Sequence, residues 1–339
     1  MKSLLAPFSF VYEMIMKCRN LFYDKGIFST LESPVTVVSV GNLTMGGTGK
    51  TPIICELLKW AISQNLKPAM ISRGYKGKFK DIAKVMPPAE AQIYGDEPAM
   101  VANRFPHIPI YVGGDRTQVL AQMLREEKVN IVFADDAFQH RRLGRHIDIL
   151  VVDCTEDLKN YRVLPLGRGR ESASHLSRAD FVILNKVNLA TPEAKQKALD
   201  FISLNSRERD IPVIECEYHL NQITSLDGSK GEWPQRYEKI ILVSGIGQPN
   251  GFEKLMSQHF HILKHITFSD HHSYSESEIH KVVDELNKTG AEKVIFTEKD
   301  AVKVKKFSSL LPKAWVAEIN PKLSLRARGL YEQILAKIN

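Results

Sequence analysis

Cysteine is scarce in this 339-residue sequence: Cys18, Cys55, Cys154 and Cys216 stand alone, with no C-x-x-C pair among them. That excludes a zinc knuckle or disulfide framework and fits a reducing compartment. Long apolar runs are missing too. The best, Leu4 to Met16 with Glu13 as its only charge, is shorter than the about 20 residues that cross a bilayer. No small-residue cleavage site follows it and Lys17 and Arg19 come at once, which argues against a signal peptide. No internal repeat or low-complexity tract occurs, so solenoids and disordered arrays are excluded. Two absences are local. A phosphate-binding loop, G-x-x-x-x-G-K-[ST], wants glycine where Thr44 stands, and an N-K-x-D base motif wants aspartate where Asn188 stands.

What is present is an ordinary globular balance, 43% hydrophobic and 25% charged, long enough for one large or two medium domains. The 46 Lys+Arg against 39 Asp+Glu give +7, which favours an anionic partner: nucleotide, nucleic acid or phospholipid headgroups. The N-terminal run has two readings. It is a helix in a membrane interface, with Lys17, Arg19 and Lys25 toward anionic headgroups, or a helix packed on the protein's own core.

From residue 35 short apolar runs alternate with amphipathic stretches, predicting βαβ units and a mostly parallel α/β sheet. Strands are expected over 35–41, 68–72, 108–112, 129–134, 147–152, 180–185, 211–216, 239–244, 261–267, 292–297 and 314–318. Helices are expected over 50–64, 97–105, 116–127, 191–205, 249–259, 275–288 and 324–337. The turn-rich stretch 220–239 breaks the rhythm and reads as an interdomain connection. The expected organisation is an N-terminal helix (1–30), a P-loop core (31–219), a smaller α/β lobe (220–320) and a last helix (321–339) that could pack on either lobe.

"VSVGNLTMGGTGKTPI" places a buried strand, a glycine loop and a helix in the order that surrounds phosphates with backbone N–H groups. Thr44, Met45, Gly46, Gly47, Thr48, Gly49, Lys50 and Thr51 form the expected nucleotide loop. Lys50 reaches the β and γ phosphates and Thr51 ligates Mg²⁺. A second metal anchor should end a buried strand. Asp135 and Asp136, which close "VNIVFADD", suit that role better than Asp153, which closes "IDILVVD". Asn188 in "ILNKVN" lacks the carboxylate that reads guanine, which leans toward ATP, with "TEKD" (297–300) a rival for base contact.

A phosphoryl acceptor needs a base. Asp96 and Glu97 of "IYGDEPAM" open a helix after a glycine, where acids suit the helix dipole or can point into a cleft. "TFSDHHSY" offers Asp270, His271 and His272, of which a histidine can hold an aspartate as a pair or simply cap a helix. Arg73 in "SRGYKG", Arg116 in "VGGDR" and Arg170 in "GRGRES" follow strands or open loops and are cleft candidates.

Together "VGNLTMGGTGKTP", "SRGYKG", "GDEP", "VGGDR", "DDAFQHRRLGRHIDILVVD", "SDHH" and "TEKDAVK" closely resemble, in family order across nearly the whole chain, the tetraacyldisaccharide 4'-kinases of lipid A biosynthesis. The resemblance implies that ATP–Mg²⁺ phosphorylates the 4'-hydroxyl of a tetraacylated glucosamine disaccharide 1-phosphate, giving lipid IVA. It implies Asp96 as base with His271 paired to it, His272 in a more variable position, and Asp135 and Asp136 as metal and nucleotide acids. It further implies two α/β lobes whose closure brings Asp96 of one against His271 of the other, a last helix returning to the first lobe, and peripheral attachment to the cytoplasmic face of the inner membrane. The substrate's 1-phosphate gives Arg73, Arg116 or Arg170 a target, which of them staying open. No nucleic acid and no obligate protein partner is expected. A GTPase-like switch or metallochaperone conflicts with Asn188 and the scattered cysteines. A nucleic-acid ATPase lacks aromatic residues interleaved with its basic stretch "HRRLGRH". A cofactor-synthesis ligase would not need the apolar first helix.

Overall fold

The computed structural model describes residues 2–207, 209–229, 231–232 and 237–338. Part of the expected connection, Lys230 and residues 233–236, lies outside them, as do Met1 and Asn339 at the ends of the expected N-terminal and C-terminal segments. The chain divides into two compact units. The first holds residues 1–73, 108–217 and 322–339, and the second Gly74–His107 and Tyr218–Pro321.

In the first unit the strand order is Val213–Ser225 (its first residues), Phe181–Asn185, Ile147–Asp153, Thr36–Gly41, Ile131–Asp135, Pro68–Ser72 and Ile110–Gly113. Every one of these pairings is parallel. A parallel sheet is covered on both faces, which is why these strands read as continuous apolar runs rather than alternating ones. Thr36–Gly41 and Ile131–Asp135 are buried at every position. The helix Lys50–Ser63 lays Ile53, Ile54, Leu57, Leu58 and Ala61 against the core, at the spacing of one helical face.

The second unit orders His261–Thr267, Lys239–Ser244, Lys293–Thr297, Ala314–Leu323 and the far end of Val213–Ser225. Its apolar layers include Ile241, Val243, Ile279, Val294 and Phe296 on one side and Ile240, Leu242, Phe252 and Ile295 on the other.

Three features differ from the sequence reading. The strand expected over 211–216 runs to Ser225, into the stretch taken for a connection. Its first half alternates, with Ile214, Cys216, Tyr218 and Leu220 buried, a period of two that sustains a strand through polar residues. Residues 74–107, placed by sequence in the P-loop core, group with the second unit. There Arg104 binds Glu298, Glu318 and Asn320. The short helix Glu298–Val304 was not expected: seven residues show no amphipathic period, and only its cap, Thr297 Oγ1 accepting from the Asp300 N–H, signals it.

The N-terminal helix, Lys2–Asp24, packs one side on the protein and leaves an apolar side exposed. Ser9 donates to the Val163 carbonyl, the Tyr12 hydroxyl to the Arg170 carbonyl, and Asn20 to Glu171. The polar side thus faces the protein. Phe8, Phe10, Val11 and Ile15 face outward, each more than half exposed.

Candidate active site

The first unit builds the phosphate loop. Gly49 precedes the helix with φ 84°, a left-handed conformation that favours glycine. Thr44, in contrast, needs no glycine. Among the described residues the left-handed positions of this loop are Gly46 and Gly49. The buried Thr44 hydroxyl donates to Glu156 at 3.2 Å, and its backbone bridges Gly169. The consensus residue is absent because this loop end is tied to the 156–170 segment instead.

Lys50 is held across the loop, donating to Asn42 Oδ1 at 3.2 Å and lying 3.4 Å from Asp136. Asp136 also takes two contacts from Arg170 Nη1, at 2.7 and 2.8 Å, and its backbone carbonyl accepts from Arg116 at 3.1 Å. Burial would raise the Asp136 carboxyl, but Lys50, Arg170 and Arg116 outweigh it and hold it well below the usual range. Burial pulls the Arg116 guanidinium down, against the pull of Asp136 and Asp135. Neighbouring Asp135 ends the strand beside Thr36–Gly41, in register with Val40, and accepts from Ser72 at 3.1 Å. Thr51, in the first helical turn, is also buried. Two hard oxygen donors, one neutral and one anionic, suit Mg²⁺. Of the two acids expected to share the metal role, Asp136 is engaged by Arg170 and Lys50, while Asp135 accepts from Ser72.

The base-motif residues also meet the loop: Asn185 donates to the Thr48 carbonyl at 2.8 Å. Lys186 pairs with Asp153 at 2.5 Å, which gives that buried strand-end acid a structural partner. Arg73 closes the first unit's opening segment, and it bears on Arg116 as a like charge.

The second unit builds the acceptor side. Gly95 has φ 90°, and a Cβ there would lie 2.7 Å from the Tyr75 carbonyl. That glycine delivers Asp96 to the first position of the helix Asp96–Arg104, where its side chain is 9% exposed. His271 Nδ1 lies 3.0 Å from Asp96 Oδ2. The resemblance implies that the two lie in different lobes. They belong to one unit and are already hydrogen-bonded.

The ring's tautomer follows from its other side. Lys299 Nζ, 3.2 Å from His271 Nε2, has only protons to give, so Nε2 accepts and Nδ1–H donates to Asp96. Lys299 also contacts Asp270 at 3.0 Å and Glu97 at 3.2 Å. Burial would lower its ammonium, but Glu97, Asp270 and Asp96 raise it on balance. For Asp96, burial raises the carboxyl, while the His271 hydrogen bond and the charges of Lys303 and Lys299 bring it below the usual range. His271 itself has φ 59°, rare for a non-glycine residue and typical of strained functional positions. His272 turns away to Glu278 at 3.1 Å.

The structure brings Asp96 against His271 and Lys50 against the loop, and it adds Lys299 and Lys303 beside the pair, which had no role there in the sequence reading. "TEKD", offered as a base contact, is engaged elsewhere: Lys299 holds His271, and Asp300 accepts from the Gly245 N–H and Thr297. The cap at Thr297 was the one local signal of that role.

Comparison with known proteins covers the whole chain. A family model described as tetraacyldisaccharide-1-P 4'-kinase (LpxK) matches residues 1–339. A tetraacyldisaccharide 4'-kinase of Bdellovibrio bacteriovorus is 36% identical over 98% of both chains. One of Chlorobaculum tepidum is 35% identical over 88% of this chain and 85% of its own. The crystal structure of "apo" form LpxK from Aquifex aeolicus in complex with ATP superposes with a TM-score of 0.77 at 27% identity, covering 100% of this chain and 99% of that one.

Proposed function

The chain belongs to the tetraacyldisaccharide-1-P 4'-kinase family and is a kinase, and we propose that it transfers the γ-phosphoryl group of ATP to the 4'-hydroxyl of a tetraacyldisaccharide 1-phosphate, forming lipid IVA. The observation that carries the residue roles is the Asp96–His271 pair, a preformed base in the second unit of a chain whose first unit carries a phosphate loop. The loop N–H groups, Lys50 and Arg116 bind and neutralise the phosphates. Thr51 and Asp135 would hold Mg²⁺, which when bound supplies charge neutralisation at the phosphate oxygens. Asp136 fixes Lys50 and Arg170 through its ion pairs. Asp96 takes the proton of the sugar hydroxyl, while His271 keeps it oriented through Nδ1–H.

Purified protein incubated with labelled ATP, Mg²⁺ and the lipid disaccharide in detergent should give labelled lipid. Lys50→Ala, Asp96→Ala and His271→Ala should each lose most of it. No label transfer by the folded wild type would overturn the assignment.

The outward apolar side of Lys2–Asp24, continued by exposed Ile27, Phe28 and Leu31, supports peripheral attachment to an anionic membrane, placed at the cytoplasmic face where ATP is available. Among the described residues no helix is long and apolar enough to cross a membrane. Phe8→Ser/Phe10→Ser/Ile15→Ser spares the inward contacts of Ser9, Tyr12 and Asn20. It should reduce cosedimentation with anionic vesicles several-fold, and unchanged cosedimentation would exclude this face as the anchor.

A further inference from the structure

Lys303 lies on the unexpected helix Glu298–Val304, one turn beyond Lys299. Its side chain is 7% exposed, and its Nζ sits 3.3 Å from Asp96 Oδ2 and 3.1 Å from Asp300 Oδ1. Neither contact has hydrogen-bond alignment, so Lys303 acts on Asp96 as a charge and not as a donor. Asp300 is itself held by both backbone and side-chain donors. It is fully buried, and its Oδ2 accepts from the Gly245 N–H at 2.9 Å and from Thr297 Oγ1 at 2.7 Å. The Tyr274 ring closes another side, with its centroid 5.7 Å from Lys303 Nζ.

We propose that Lys303, anchored by Asp300, is a positioning residue that keeps Asp96 ionised and sets the pH at which this base is lost. The inference rests on the assignment of Asp96 as base. Both His271 and Lys303 approach the same carboxylate oxygen, Oδ2, which leaves Oδ1 for the sugar hydroxyl. The hydrogen bond from His271 orients the carboxylate. The ammonium stabilises its anionic form without competing for directional contacts. The other charges around the pair are Lys299, Glu97 and Asp270 on the His271 side and Asp300 behind Lys303. Tyr274 stays a neutral phenol because burial and Asp300 push it up. Removing Lys303 therefore leaves Asp96 with Lys299, the more distant cation, against three other carboxylates. Its protonated form should gain.

The test is the pH profile of kcat/KM for the lipid acceptor, for wild type, Lys303→Met, Lys303→Arg and Asp96→Asn, with circular dichroism to confirm folding. An opposite charge at this distance moves a carboxylate by about one pH unit or more. The acid limb of Lys303→Met should therefore move upward by about one unit, with KM for ATP unchanged. Lys303→Arg, which keeps the charge, should return the limb most of the way. If Lys303→Met fails to fold because Asp300 is left buried without a cation, Lys303→Met/Asp300→Asn removes that charge too and should still move the limb upward. An unmoved acid limb in a folded variant without Lys303, or an equal displacement in Lys303→Arg, overturns the proposal. Retained activity in Asp96→Asn would instead overturn the base assignment beneath it. An inactive Asp96→Asn beside an unmoved Lys303→Met limb removes Lys303 alone.

Discussion

Two aspartates, one in each unit, are surrounded by cations, and they are surrounded differently. Asp136 has both oxygens on Arg170 Nη1 and a third contact to Lys50. Asp96 has His271 and Lys303 on the same oxygen. Asp96 is buried and Asp136 half-buried, and both carboxyls are held below their ordinary range because nearby cations outweigh the cost of desolvation. An acid whose oxygens are both occupied by a guanidinium is a strut. An acid bound along one edge retains an oxygen for a substrate proton. Burial and a low pKa alone do not separate the two roles; which oxygen is engaged does.

The largest effect expected of this contrast comes from the strut side. Lys50→Ala removes the cation that Asp136 and Asn42 hold over the loop, and the phosphates lose their main point charge. The expected loss in kcat is about 10³-fold or more, in the range found when a preorganised charge contact is removed. Single-turnover assays at saturating ATP measure it. A loss confined to KM for ATP would make Lys50 a ground-state anchor only.

Next comes the base. Asp96→Ala should lower kcat by about 10²- to 10⁴-fold with KM for ATP little changed, the usual contribution of a positioned general base. His271→Ala removes the orienting hydrogen bond but leaves the carboxylate and Lys303. It should cost less, about 10-fold to 10²-fold. The order of these two losses sharpens the contrast. If His271→Ala costs as much as Asp96→Ala and the double variant costs no more, the pair acts as one unit.

How much of this could be read from the chain depends on distance along it. The glycine loop, Lys50 and Thr51 are neighbours in sequence, so the strand–loop–helix context sufficed. Asp135 and Asp136 were legible because a buried strand ends on them. Asp136's commitment to Arg170, 34 residues on, was not. The Asp96–His271 pair spans 175 residues, and only the family resemblance joined it; even then the two were placed in different lobes. Lys303 was the least legible. Its helix is too short to carry a hydrophobic period, and its burial follows from tertiary contacts with Asp96 and Asp300. Thr44 illustrates the converse. A mismatch to the loop pattern looked like a weakness, and it is a hydrogen bond to Glu156.

The smallest effect lies outside both sites, in the acid beside Arg170. Glu171, 1% exposed, accepts from Asn20 of the N-terminal helix at 2.9 Å, from Gln139 at 2.9 Å and from Arg178 at 2.8 and 2.9 Å, with His175 Nδ1 at 3.0 Å. Burial pushes its carboxyl up, but His175, Arg178 and Gln139 bring it down from 4.5 to about 2. A carboxyl lowered in the folded state stabilises the fold fully above its unfolded value and loses that contribution as pH falls through the folded one. The stabilising contribution of Glu171 should therefore be complete above pH about 4.5 and fade toward pH about 2. Glu171→Gln removes this charge, so its melting temperature should fall below that of wild type at pH 7 by several degrees. The gap should narrow as pH drops below about 4.5. Thermal melts across that window measure it. A gap independent of pH would mean that Glu171 holds Asn20 and Gln139 by shape alone, and that the N-terminal helix is docked without help from a buried charge.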